Sequence, residues 1–115
     1  DEPTASLDAQ NIYIFEEVLK RMSSESKTLV ISTHDLEFAF RWADRIIVFS
    51  EGSIIADSDP ATVFNNREVL NRASLKKPIL LEVYEILLAN SVIKEGGKPA
   101  KNIEEFKQLF NFRLN

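Results

Sequence analysis

The chain opens on two adjacent carboxylates, Asp1-Glu2, followed by Pro3-Thr4, and it holds one histidine, His34. Neighbouring carboxylates suit metal-assisted phosphate hydrolysis. One can hold Mg2+ through its water shell while the other orients and deprotonates an attacking water. A neutral imidazole that follows a buried strand stands where open α/β sheets place their ligand-binding loops. Taken singly, each feature has a plainer reading: a solvated acidic end for the pair, and a strand-capping or carbonyl-bonded side chain for the histidine.

The elements that must position these groups can be read from periodicity. Residues 1–8 lack a helical period, carry Pro3, and end in Asp8, which suits a helix N-cap. Ile12, Phe15, Val18, Leu19 and Met22 recur at spacings of three and four and predict a helix over 9–22. Residues 28–32, Thr-Leu-Val-Ile-Ser, form a short β-rich apolar run of the kind a strand buried on both faces shows, so a parallel strand is expected there. Thr33-His34-Asp35 is then a short connection to a helix over 36–43, with Asp35 able to cap it. A strand over 45–50, a tight turn at Glu51-Gly52 and a returning strand over 53–57 make a hairpin.

Asp59-Pro60 is a cap residue followed by proline at the first helical position, where its missing N–H costs nothing. Helical patterns follow. Val63-Phe64, Val69-Leu70 and Leu75 suggest one or two short helices, and residues 78–90 carry Ile79, Val83, Ile86 and Leu87 on one face. Asn102 and Glu105 form a capping box for a last helix bearing Ile103, Phe106, Leu109 and Phe110. The chain thus divides into an α/β part over 1–58 and an all-helical tail over 59–115.

Composition excludes several classes. The 115 residues include 14 Lys+Arg against 18 Asp+Glu, a net charge of −4, so no global basic field draws the chain to nucleic acid. At 44% hydrophobic and 28% charged, with only 3 Gly and 4 Pro, it is a soluble globular composition. Without cysteine it has neither disulfides nor thiolate metal sites, which fits a reducing compartment. No apolar run approaches the roughly 20 residues of a membrane-spanning helix, and no signal-peptide pattern is present.

Read together, Asp1-Glu2-Pro3-Thr4-Ala5-Ser6-Leu7-Asp8 and Ile31-Ser32-Thr33-His34-Asp35 occur in order, about one helix and one strand apart. This pairing resembles the ABC-type ATPases, in which an acidic pair ends the Walker B strand, a D-loop follows, and a switch-loop histidine comes after a helix and a strand. The resemblance implies ATP and Mg2+ as cofactors. It gives Asp1 the metal, held through water, Glu2 the role of general base or polarising carboxylate for the attacking water, and His34 the γ-phosphate. It sets Ser6, Leu7 and Asp8 across the interface of two ATPase subunits. Such a division of labour suits phosphoryl transfer, which rests chiefly on positioning and charge stabilisation.

The family's phosphate loop, glutamine lid and Ser-Gly-Gly-Gln signature precede the acidic pair and are absent from these residues. The sequence is therefore expected to be the C-terminal half of a P-loop NTPase, cut at that pair, with part of a parallel sheet core, a hairpin and the helical tail. Alone it should bind ATP weakly or not at all and hydrolyse none. The strand expected at 28–32 would lack its neighbour, and a bare apolar edge favours self-association.

Local sequence narrows the type. Ser-Thr-His-Asp at the switch loop, Ala43-Asp44-Arg45-Ile46-Ile47-Val48-Phe49, and Glu51-Gly52-Ser53-Ile54-Ile55-Ala56 look like importer subunits. The tail, with Glu68-Val69-Leu70, Leu75, Pro78, Glu82 and Pro99, is similar to energy-coupling-factor importer ATPases, which include cobalt/nickel and vitamin uptake systems. A conventional ABC importer and a non-catalytic regulatory or oligomerisation module are the alternatives. The likeness implies a second ATPase subunit and a transmembrane coupling subunit as partners, at the cytoplasmic face of the membrane. The helical tail of such importers lies where two ATPases meet, which makes Phe106 and Phe110 candidate dimer contacts. Their plainer reading is a helix packed onto its own domain.

Overall fold

The computed structural model describes residues 8–93 and 99–114, and the chain forms two compact units, Asp1–Asp35 and Leu36–Asn115. The first holds helix α1, Ala9–Ser24. Asp8 caps it as expected, its Oδ1 accepting from the Asn11 N–H at 2.9 Å. Of the apolar stripe, Leu19 is buried and Ile12, Phe15 and Met22 are half-buried, whereas Val18 is exposed. Ser26 ends the helix in the left-handed region, φ 58°, its N–H donating to the Ser23 carbonyl at 3.2 Å.

Residues 27–33 carry no strand, and the parallel sheet expected around 28–32 is not seen among the described residues. The reason is physical. A strand exists only through a ladder with a neighbour, and no described segment pairs with this one. Val30, expected to be buried on a sheet face, is 94% exposed.

The second unit begins with α2, Leu36–Trp42, followed by the antiparallel hairpin of β1, Ile46–Ser50, and β2, Ser53–Ser58. Ser50 pairs with Ser53, so the loop is Glu51-Gly52, and both residues have positive φ, 50° and 79°. That is the demand of a two-residue primed turn, whose twist matches the strands it joins. A register shift between Val48 and Phe49 sets Phe49 opposite Ile54. One face of the hairpin is turned inward through Val48. Ile47, Phe49 and Ile54 are exposed.

Four helices complete the unit: α3, Pro60–Phe64, α4, Arg67–Arg72, α5, Ile79–Ala89, and α6, Ile103–Leu114. Each begins where the chain offers a cap or a proline. The Asp59 carboxylate accepts from the Thr62 N–H and the Thr62 hydroxyl, at 3.1 and 2.7 Å. Asn66 accepts from the Val69 N–H at 3.2 Å. At α6, Asn102 Oδ1 accepts from the Glu105 N–H at 2.9 Å, and Glu105 reaches back to the Lys101 N–H at 2.8 Å. This is the expected capping box with its return bond displaced by one residue.

The core of this unit is continuous with the hairpin. Phe40, Phe64 and Leu81 form one cluster, with the two phenyl rings edge to face at 6.2 Å. Val48 of β1 packs with Val63 and Val69 of the helices, a contact that crosses residue 58. Tyr84, Ile93, Ala100 and Phe106 form the third cluster. On α5 the buried residues are Leu81 and Tyr84, while Ile79, Val83 and Ile86 of the expected stripe are exposed. The helix is apolar on most of its circumference, so periodicity could not choose the buried side; packing on Phe40, Phe64 and Phe106 does.

Candidate functional site

His34 lies at a bend, exposed, directly before α2. The connection is fixed locally by a side-chain bond, in which the Asp35 N–H donates to Thr33 Oγ1 at 2.9 Å, closing a Ser/Thr-type turn around the histidine. A threonine three residues ahead of the first helical position thereby holds backbone that neither helix nor sheet holds.

Asp8 is also exposed, and one of its carboxylate oxygens is committed to the start of α1. Asp1, Glu2, Ser6 and Leu7 lie outside the described residues, as does the side chain of Phe110. Among the described residues no group of three or more His, Asp or Glu side chains could hold a metal ion. Asp1, the carboxylate expected to hold Mg2+, lies outside these residues; its hard oxygens are of the kind Mg2+ takes.

Phe106, expected as a dimer contact, sits inside the fold at 9% exposure, its ring edge to face with Tyr84 at 6.5 Å. The apolar residues that α6 leaves exposed are Ile103 and Leu109. No described helix is long and apolar enough to cross a membrane.

No protein-family model matches the chain. Over most of its length, however, it is homologous to ATP-binding subunits of ABC transporters, the class to which the two motifs point. More particularly, it is 41% identical over 99 residues to an energy-coupling-factor transporter ATP-binding protein of Methanospirillum hungatei, a match covering 86% of this chain and 25% of the relative. It is 35% identical over 103 residues to the corresponding protein of Carboxydothermus hydrogenoformans, covering 90% of this chain and 38% of the relative. A third, from Mycoplasma mobile, is 32% identical over 111 residues, 96% of this chain and 35% of the relative. The chain thus spans between a quarter and two-fifths of the length of these curated relatives. The resemblance read from residues 1–8 and 31–35 extends well beyond those motifs.

Proposed function

We propose that these residues supply the hydrolytic carboxylates and the switch histidine of an ATP-hydrolysing subunit that drives an energy-coupling-factor importer. What carries this reading is the order of the two motifs, an acidic pair ahead of a capped helix and a histidine after the next apolar segment, in a chain 41% identical to such a subunit over 99 residues. Bound Mg2+ would neutralise charge on the phosphates. Asp1 holds a water of the ion's shell, Glu2 takes the proton of the attacking water, and His34 donates an N–H to a γ-phosphate oxygen. Ser6, Leu7 and Asp8 meet a second ATPase subunit. A membrane coupling subunit on the cytoplasmic side receives the work, and the solute is cobalt, nickel or a vitamin.

The test is ATP turnover by the assembled transporter. Glu2→Gln and His34→Ala should each lower kcat by about 100-fold or more while nucleotide still binds. Glu17→Gln, on the exposed side of α1, should change nothing. Undiminished turnover in the first two variants would overturn the assignment.

A further inference from the structure

Between α4, the segment that follows it and the start of α5 lies a cleft of about 480 Å3, within the range of small-molecule sites. Its apolar lining includes Phe64, Leu70 and Leu75. Arg67 and Asn71 stand four residues apart on α4 and therefore neighbour each other on one face of that helix. Lys76 and Lys77 line the same cleft, with Glu82 as its single carboxylate. In a chain of net charge −4, this is a local excess of positive charge.

The cations are not equivalent. Lys77 is satisfied, its Nζ 2.8 Å from Glu85 Oε2 and 3.0 Å from Asn65 Oδ1. No described side chain forms an ion pair with Arg67 or Lys76. The backbone beneath them is braced. α4 is capped by Asn66 and closed by two turn bonds, Ser74 N–H to the Asn71 carbonyl at 3.3 Å and Leu75 N–H to the Leu70 carbonyl at 2.8 Å. Two cations with no described ion-pair partner and an amide, against one carboxylate, over an apolar lining match a ligand with an anionic head and a short apolar body.

We propose that this cleft is a binding site for a small organic anion, a phosphate monoester or a carboxylate with an apolar group, held by Arg67 and Lys76. Arg67 gives the head a planar pair of donors, Lys76 a point charge, and Phe64, Leu70 and Leu75 exclude water from the apolar part. None of the cleft's lining residues is among those assigned to hydrolysis, and the proposal does not depend on that assignment.

Phenyl phosphate titrated into the isotopically labelled chain, followed by amide NMR, tests the proposal. Saturable shifts should centre on residues 64–77. Inorganic phosphate should bind more weakly for want of the apolar part, and benzyl alcohol should not saturate. Arg67→Gln and Lys76→Gln should each weaken phenyl phosphate about tenfold; both side chains are exposed, and an unchanged spectrum elsewhere would confirm that the fold is kept. Lys20→Gln, on α1, should have no effect. Shifts that fail to saturate, or an affinity unaltered by both cleft variants, would overturn the proposal.

Discussion

Arg45 and Asp57 close the open end of the hairpin with two parallel hydrogen bonds, Nε to Oδ1 and Nη2 to Oδ2, each 2.6 Å. The fork geometry matches guanidinium to carboxylate and pins the register that sets Ile47 opposite Asp57. The same bond holds the Asp57 carboxyl below its ordinary value, aided by the charge of Arg45 and opposed by partial desolvation. Asp59 is likewise held low, first by the Thr62 hydroxyl and then by the Thr62 N–H.

A pH dependence follows from these two carboxylates. Their folded-state values are depressed, so their stabilisation is complete above the ordinary carboxylate range and fades as pH falls through the depressed values. Melting curves of the wild type, Asp57→Asn and Asp59→Asn between pH 7 and pH 2 should show the wild-type advantage shrinking toward the acid end. Both groups are exposed, so the effect should be modest. A gap that does not change with pH would contradict the account.

Three helices end on a serine in the left-handed region, Ser26, Ser74 and Ser91, at φ 58°, 54° and 56°. For α4 and α5 the paired turn bonds that accompany a left-handed C′ residue are complete, including Val92 N–H to the Leu87 carbonyl at 2.9 Å. This conformation costs a residue with a Cβ about 1–2 kcal/mol, part of which glycine returns through its looser unfolded state. Ser74→Gly and Ser91→Gly should each stabilise by about 0.5 kcal/mol, read from denaturant midpoints. Gly52→Ala should destabilise by about 1 kcal/mol despite open space around its Cβ, because φ is 79°.

Phe106 and Ile103 sit three residues apart on α6 with opposite roles. Phe106→Ala removes a ring packed on Tyr84, Ile93 and Ala100 and should cost about 3–5 kcal/mol. Ile103→Ser, at a side chain 58% exposed, should stay within about 0.5 kcal/mol. If α6 contributes to ATPase pairing, Ile103→Ser should weaken association of the whole subunit without changing its melting temperature, measured by sedimentation and thermal denaturation together.

Mg-ATP affinity of the 115-residue chain should be negligible by calorimetry, since its sequence holds no phosphate-cradling glycine loop. Micromolar binding would require phosphate donors outside the motifs named above.

Much of the local architecture was legible in the residues. Asp8, Asp59 and Asn102 fix where helices begin, because short polar side chains satisfy backbone N–H groups that no helix can satisfy itself. Glu51-Gly52 fixes the hairpin through a turn few other pairs adopt, and the two motifs with their order point to ABC ATP-binding subunits, to which most of this chain is similar.

Tertiary structure decided what patterns leave degenerate. The apolar run at 28–32 has strand composition, yet a strand is a relation between two segments, and Val30 is left 94% exposed where no described neighbour pairs with it. α5 offers apolar side chains nearly all round, and only the positions of Phe40, Phe64 and Phe106 select Leu81 and Tyr84 over Ile79, Val83 and Ile86. The cleft that leaves Arg67 and Lys76 unpaired while Glu85 takes Lys77 has no periodic signature at all. Caps and turns are settled by neighbours along the chain, whereas burial and charge pairing are settled by neighbours in space.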